Sequence, residues 1–527
     1  MSLCLKLTFL GGACEFGKNC LALEAGGEMV VVDAGLAFPT TNLPGVDFII
    51  PDFAYIRENR EKVRGIVLTH GHEDHIGALG YLLDEVEAPV YGAGLTLRLA
   101  EAKLADRSGA ARPALNEIRE GERLKFGALE MEFVRVNHSI PDNLGFAVRA
   151  GGSLVVHSGD YKMDAAPADG LPTDLARFRE LGAGGVDLLV CDCTNVDHEE
   201  TASESVVRDR LEEIFAGARG KIVFSTFASN VQRIQFAFDM AERFSRKVFV
   251  LGLSMESVIR SARDSGYLSF AGDILRDVRE LDRCGDGEVL VMCTGAQGEP
   301  MSALRSISEG QNRLVKLEPD DVVVVSAGVI PGNEFHVNQV INNVCRAGAK
   351  VVYGDESGVH VSGHGGAREV SALVGAVNPA FVVPFHGEYR HVRKMREVLE
   401  RDGFPASRFL IMENGESVAL ENGTLTAGGR AQAGDVYVDG ATVGDVGRNV
   451  LKERRELGEK GAVAVSVAVR RDTRELIGSP AIESFGFSYQ PISSKFILQL
   501  KEELENRLRC EGSLPDDDEE AKASVRD

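Results

Sequence analysis

Within seven residues, Thr69-His70-Gly71-His72-Glu73-Asp74-His75, the chain places three of its eleven histidines and two carboxylates. The apolar run Gly65-Ile-Val-Leu-Thr69 that leads into them reads as a strand. Ile76–Val86 after them, with apolar residues spaced by three and four, reads as a helix. Imidazoles at i and i+2 leaving a strand end can converge on one cation, while Asp74 and His75 at the start of the following helix can face a second. Two ions need more donors than this loop carries, and later segments offer them: His138 in Asn137-His-Ser-Ile-Pro-Asp142, Asp160 in Val156-His-Ser-Gly-Asp160, and His386 in Pro384-Phe-His-Gly-Glu388. Each follows a buried-looking strand and opens a polar loop, so a single sheet edge can gather them. A lone histidine at a strand end is ordinarily structural; the signal is the set.

Two further segments could meet an anion. Gly358-Val-His360-Val361-Ser362-Gly363-His364 is punctuated by glycine and mixes hydroxyl with imidazole donors, which suits it to grip a phosphate through backbone N–H groups. Ser229 and Asn230 stand at the start of an expected helix, Asn230–Phe244, where free N–H groups and the helix dipole favour negative charge; an ordinary N-cap is the equal alternative for Ser229. Arg233, Arg305, Arg313, Arg368, Arg390 and Arg393 could line a groove for a polyanion, with solvated surface as the default for most of them. Gly11-Gly-Ala-Cys-Glu-Phe-Gly17 has the wrong glycine spacing for a dinucleotide fingerprint and reads as a first hairpin turn.

The elements that must position these residues fall into three styles. The first 200 residues alternate short β-branched runs with Gly, Asp and Pro, as in Met29–Asp33, Leu154–His157 and Val186–Val190. From 203 to 355 strands and helices alternate (Lys221–Thr226, Asn230–Phe244, Lys247–Leu251, Met255–Ser265, Glu288–Cys293, Asp321–Ser326, Asn333–Ala347, Lys350–Tyr353), the βαβ signature of a parallel sheet. Ala380–Pro384 and a helix around Glu388–Arg401 resume the first style. A Gly-rich stretch over Glu421–Gly434 reads as a linker, and a final charged helix is expected near Ile492–Arg509.

At 527 residues the chain is long enough for about three domains. No apolar run approaches the ~20 residues that span a bilayer, so no membrane is expected. Met1–Leu10, with Lys6 inside its apolar stretch, reads as a strand and not as a signal peptide. Nine scattered cysteines without a C-x-x-C pair point to a reducing cytoplasm. A net charge of −22 speaks on its face against a phosphate-rich partner, but the 201–355 segment is nearly neutral while 511–527 is a short acidic tail expected to be disordered. A polyanion site would be local.

Taken together, the H-x-H-x-D-H loop and its downstream His, Asp and His resemble the metallo-β-lactamase superfamily, an αββα sandwich that carries two metals. More specifically, the sequence is similar to the ribonuclease J family of β-CASP nucleases. The resemblance runs through Gly17-Lys-Asn19, Val32–Gly35, Gly45–Pro51, Leu68–Leu79, Asn137–Asp142, Asp192-Cys-Thr-Asn195, Ser203–Val207, Thr226–Asn230, Gly295–Leu304, Ile330–Glu334, Gly358–His364 and His386–Arg390. It implies a metallo-β-lactamase domain in two parts (1–202 and 356–425), an inserted parallel α/β β-CASP domain (203–355), a linker (426–438), a small α+β C-terminal domain (439–510) and the acidic tail (511–527). In the last domain the match runs through Asp435–Phe487 and stops short of the family's closing helices and strand. Small departures, such as Cys193 in Asp192-Cys-Thr-Asn195, leave the expected ligands untouched.

The resemblance also implies roles. One metal would be held by His70, His72 and His138, the other by Asp74, His75 and His386, with Asp160 bridging them; the ions would be two Zn2+, with Mn2+ as the alternative. Asp33 would orient the ligand loop. Asp192 resembles the first β-CASP motif, and strand alternation turns Cys191 and Cys193 away from its face as buried thiols. His364 resembles the second motif and is expected to protonate the leaving 3′-oxygen, while Asp74 or Asp160 accepts the proton of the attacking water. His360, Val361, Ser362, Gly363 and His364 would contact substrate, and Ser229 with Asn230 would form the pocket for a 5′-monophosphate. The implied activity is 5′-to-3′ exonuclease and endonuclease cleavage of single-stranded RNA in rRNA maturation and mRNA processing and decay, by a cytoplasmic homodimer with RNA degradosome components as partners. The rivals are a small-molecule hydrolase of the same superfamily, which the inserted segment and His364 count against, and a non-catalytic RNA-binding scaffold, which degenerate ligands would favour and which intact ones do not.

Overall fold

The computed structural model describes residues 3–39, 43–107, 112–299, 301–330, 332–440, 442–486, 490–511, 514, 515, 522 and 525, the side chains of 490–494 and 511 excepted. The expected acidic tail lies mostly outside the described residues. The chain divides into two compact units, one of Met1–Thr40 with Phe48–Val436 and one of Thr41–Asp47 with Tyr437–Asp527.

In the first unit, two mixed sheets lie face to face. One has eight strands in the order Thr424–Arg430, Glu416–Glu421, Leu5–Gly11, Cys20–Ala25, Glu28–Val32, Val63–Val67, Val90–Gly92 and Leu115–Glu117. The other has six: Phe381–Phe385, Leu188–Asp192, Ser153–His157, Leu144–Ala150, Leu129–Arg135 and Arg123–Phe126. Alternation sets which side chains fill the space between them. Leu5, Leu7 and Phe9 from the first sheet meet Met131, Phe133, Phe146 and Val148 from the second, all fully or almost fully buried. On the outer face of the six-stranded sheet, Val156, Leu189 and Cys191 pack against helices Leu175–Ala183, Ala367–Val377 and Tyr389–Arg401 through Phe178, Leu373 and Met395. Helices Leu79–Glu85 and Gly94–Asp106 bury Leu82, Leu83, Leu95 and Leu99.

The inserted segment builds a third sheet of six strands, all parallel, in the order Leu275–Arg276, Lys247–Leu251, Val289–Cys293, Ile222–Ser225, Val322–Val325 and Lys350–Tyr353. Its central strands are buried on both faces, as continuous runs such as Val322–Val325 require.

Two local expectations change. The helix expected over Ile76–Val86 is two pieces, Glu73–Ile76 and Leu79–Glu85. The ladder breaks because the Ala78 N–H donates to Ala34 O at 2.7 Å, tying the ligand loop to the neighbouring strand end. The stretch expected as a linker over 426–438 is also mostly strand: Thr424–Arg430 pairs antiparallel with Glu416–Glu421 around Asn422-Gly423, both at positive φ, and Asp435–Asp439 is a further strand. An Asn-Gly pair between two extended runs is a hairpin signal, and here it outweighs the glycine content. The second unit holds the pairing of Val438 with Val443, helix Arg448–Lys460, the hairpin Ala462–Ser466 with Ala481–Phe485, and helix Gln490–Glu511. Among the described residues no helix is long and apolar enough to cross a membrane.

Candidate metal centre

The strand ends of the two facing sheets deliver the polar side chains to one edge. Asp33 follows Glu28–Val32, the Thr69–His75 loop follows Val63–Val67, His138 follows Leu129–Arg135, Asp160 follows Ser153–His157, Asp192 ends Leu188–Asp192, and His386 follows Phe381–Phe385. Backbone bonds fasten the ligand loop in place: Ala34 N–H donates to His75 O, Leu36 N–H to Glu73 O and Asn19 N–H to Asp74 O, at 2.8 to 3.1 Å. Gly35 lies so close to this loop that a Cβ there would stand 1.6 Å from Asp74 O.

Among the described residues four donor groups result, the donor atoms of each within 4.8 Å of one another. Two leave His364 aside: His70, His72 and His138 form one, and Asp74, His75, Asp160 and His386 the other; His364 joins His138 and Asp160 in a third and Asp192 and His386 in a fourth. His70 Nε2 stands 2.9 Å from His72 Nδ1, and His138 Nε2 3.1 Å from the same atom. Asp160 Oδ2 lies between the groups, 3.2 Å from His75 Nε2, 3.4 Å from His386 Nδ1 and 3.8 Å from His70 Nε2. His386 Nε2 is 2.9 Å from Asp74 Oδ2.

Neighbouring groups fix which nitrogen is free in three of the rings. Asp33 accepts from Thr69 N–H, from Thr69 Oγ1 and from His75 Nδ1, each at 2.8 Å, so His75 presents Nε2 to the centre. His138 donates its Nδ1–H to Gly363 O at 2.7 Å and presents Nε2. His70 Nδ1 faces Thr69 Oγ1 at 3.1 Å, whose own proton goes to Asp33, so His70 also presents a bare Nε2. Two imidazole lone pairs thus converge on a third nitrogen with no ammonium or guanidinium among them. That donor set fits a cation, and neutral imidazoles with ionised carboxylates are its ligand forms.

Electrostatics favour these forms for the three-imidazole group and for the carboxylates, whereas without a cation the carboxylates draw His75 and His386 toward their protonated forms. Burial, reinforced by the neighbouring imidazoles, holds His70 and His138 well below the usual histidine range; burial is also the main cause that brings His72 down to about 4. Burial alone would neutralise Asp74 and Asp160, but His75 and His386 outweigh it and keep both carboxyls below their ordinary range. Burial opposes charge on His386 too, yet Asp160 and Asp74 raise it to about 9.

Beside the two groups, His364 Nδ1 is 2.7 Å from Asp192 Oδ2, and its ring centre is 4.7 Å from that of His138. Asp192 is held in turn by Thr194 N–H and Thr194 Oγ1, at 2.8 and 2.7 Å. Cys191 and Cys193 lie buried in the core on the other face of that strand. Asp74 (32% exposed) and His364 (16%) are the open side of an otherwise closed centre. A cavity of about 460 Å³ reaches His138 and Asn143 from between the two-sheet sandwich and the inserted domain, where Gln232 and Tyr267 line it.

The 360–364 stretch runs against the centre through Gly363 O and His364. Among the described residues, Ser229 and Asn230 make no hydrogen bond to it. Asn230, not Ser229, caps helix Val231–Arg243, accepting from Arg233 N–H at 3.1 Å. Sequence reasoning missed Asn19, whose Nδ2 is 2.9 Å from His75 Nε2, and Thr194, which meets both Asp192 and His386. Both stand inside motifs already singled out, Gly17-Lys-Asn19 and Asp192-Cys-Thr-Asn195. It also set Arg233 beside surface arginines, whereas Arg233 is fully buried.

Family models match most of the chain: the metallo-β-lactamase superfamily over residues 15–177, the ribonuclease J β-CASP domain over 219–344, the Zn-dependent metallo-hydrolase RNA specificity domain over 349–407 and the ribonuclease J C-terminal domain over 449–527. The chain is 38% identical over 502 residues to ribonuclease J 1 of Streptococcus pyogenes serotype M3, covering 95% of this chain and 89% of that one. It is 41% identical over 489 residues to ribonuclease J of Mycobacterium tuberculosis, with 92% and 87% covered. A solved structure of a protein of unknown function from Enterococcus faecalis V583 shares the fold, with a TM-score of 0.57 at 15% identity over 79% of this chain and all of that one.

Proposed function

The chain belongs to the ribonuclease J family; it is a metal-dependent hydrolase of RNA phosphodiesters, and we propose that it cuts single-stranded RNA both from the 5′ end and internally. In this reading His70, His72 and His138 would hold one ion and Asp74, His75 and His386 a second, with Asp160 shared between them. The imidazole-rich set favours zinc, with manganese as the alternative. When bound, the ions supply a nucleophile from water at neutral pH and offset charge at the phosphoryl oxygens.

The chain's own groups do the rest. Asp33 and Gly363 O fix the His75 and His138 rings. Asp74, the more open of the two carboxylates, or Asp160 takes the proton of the attacking water. Asp192 accepts from His364 Nδ1–H, which leaves Nε2 to pass a proton to the leaving 3′-oxygen. The 360–364 backbone binds the phosphate, and Ser229 with Asn230 lies toward a 5′-monophosphate. The substrates in the cell are rRNA precursors and mRNA, met by a cytoplasmic homodimer that joins RNA degradosome components.

The observation that carries the reading is the Asp192–His364 pair set against a seven-residue donor cluster, which a small-molecule hydrolase of this fold has no need of. The test compares RNAs bearing 5′-monophosphate, 5′-triphosphate and 5′-hydroxyl ends, with chelator and His364→Ala controls. Fastest 5′ trimming of the monophosphate RNA, lost in chelator and strongly slowed in His364→Ala, is expected. Equal, chelator-insensitive products from all three ends would refute it.

A further inference from the structure

Behind the 360–364 loop lies a charged cluster that no part of the chemistry above uses. Arg233, Lys162 and Glu204 have side chains no more than 1% exposed. Arg233 Nη2 and Lys162 Nζ stand 3.3 and 3.2 Å from Glu204 Oε1, and Asp164 is 3.7 Å from Lys162, so two cations face two carboxylates. Their remaining hydrogens go to the loop and to Ser326 O beside it. Arg233 donates to Val361 O, to His360 Nδ1 at 2.6 Å and to Ser326 O at 3.1 Å, and Lys162 donates to Ser362 O at 3.3 Å.

The run of carbonyls is held one after another: Val361 O by Arg233, Ser362 O by Lys162, Gly363 O by His138 and His364 O by Thr201. In a trans peptide the C=O of one residue and the N–H of the next point in opposite directions, and the chain has no cis bond among its described residues. Turning Val361 O and Ser362 O onto buried cations therefore aims the N–H groups of Ser362 and Gly363 away from the cluster. Among the described residues these two N–H groups donate to no protein acceptor, whereas the next one, of His364, donates to Ser362 Oγ at 3.1 Å. The plane that follows carries Gly363 O onto His138 and the His364 N–H onto Ser362 Oγ, and starts the chain toward His364.

We propose that Arg233, Lys162 and Glu204 are positioning residues for phosphodiester cleavage, an ion-paired clamp from behind that sets the 361–363 peptide planes. The clamp holds His364 at the scissile phosphate. The inference rests on the reading of His364 given above. Lysine in place of Arg233 keeps the charge and loses the planar fork that reaches Val361 O, His360 and Glu204 together.

The test is a double-mutant cycle on the metal-loaded full chain, combining Arg233→Lys with His364→Ala and following single-turnover cleavage of a 5′-monophosphate RNA alongside bound metal. Arg233→Lys should bind the parent's metal complement and cleave about tenfold to a hundredfold more slowly. In the His364→Ala background the same change should cost less than about threefold, because its effect passes through His364. An equal loss in both backgrounds, or no loss in either, would overturn the clamp. A His364→Ala enzyme as fast as the parent would instead overturn the role of His364, a separate result. Where Arg233→Lys does not accumulate as folded protein, Glu204→Gln, which keeps the volume and removes the shared counter-charge, runs through the same cycle with the same two outcomes.

Discussion

In the proposed metal centre Asp33 would decide whether an ion binds without touching it. Its carboxylate takes the Thr69 N–H, the Thr69 hydroxyl and the His75 Nδ1–H, and so fixes two ligand rings at once. Asp33→Asn should weaken metal binding by about tenfold to a hundredfold while leaving the fold intact, as measured by metal titration and circular dichroism. His157 tests the buried histidines through pH. It stacks on Phe146, accepts from Gly159 N–H at 2.9 Å and is brought down to about 4, chiefly by burial. Unfolded, it takes up its proton near 6.5. Between these values the unfolded chain binds more protons, so stability falls as pH drops from about 6.5 to 4, by about 1.4 kcal/mol per unit for this one group. His157→Gln, which keeps an acceptor, should flatten the decline in denaturant midpoint over that window; an unchanged slope would show that His157 titrates normally in the fold. At this scale the imidazoles and carboxylates of the proposed metal centre were already suggested by seven clustered residues. What sequence could not supply was the partner of each ring's second nitrogen, because Gly363 O and Thr194 come from distant segments that only the fold brings near.

Strand ends and turns decide where those side chains point. The sequence marked the strands that lead to His70, Asp160 and His386, since continuous β-branched runs followed by Gly, Asp or His are a strong local signal, but gave no bounds for the one before His138, Leu129–Arg135, which mixes charged with apolar residues. It misjudged two junctions for tertiary reasons: Ala78 gives its N–H to Ala34 O instead of continuing a helix, and Asn422-Gly423 closes a hairpin inside a glycine-rich stretch. Glycines on two elements make a matched pair of tests. A Cβ at Gly363 would sit 2.7 Å from the His138 ring, so Gly363→Ala should displace that ligand, with loss of bound metal and at least a tenfold fall in cleavage rate, about 1.4 kcal/mol. A Cβ at Gly375, inside helix Ala367–Val377, meets nothing within 4 Å. Gly375→Ala should raise stability by about 0.5–1 kcal/mol in urea unfolding without touching the rate. Comparable losses from both would point to general fragility and away from a crowded ligand shell.

For the whole chain, the net charge of −22 had pointed away from a polyanion, and the structure explains why the total misleads. Several surface arginines that might have lined a groove are paired with carboxylates: Arg368 with Glu199 and Glu200, Arg390 with Asp197 and Glu388, Arg305 with Glu309. On the proposed function, RNA affinity would come from the metal centre and a few backbone and imidazole donors. The plot of log affinity against log salt should be shallow, with a slope no steeper than about −2, equivalent to about three phosphates of single-stranded RNA. A slope near −5 in equilibrium binding would mean a broad basic face instead. The central claim is that seven side chains from four strand ends act as one metal centre that cleaves RNA. The most direct measurement strips the full chain with chelator and titrates zinc or manganese back, reading bound metal and cleavage of a 5′-monophosphate RNA in the same samples. Activity should be absent in the stripped protein and return in step with metal to a limit of two ions per chain, whereas full cleavage by metal-free protein would contradict the account.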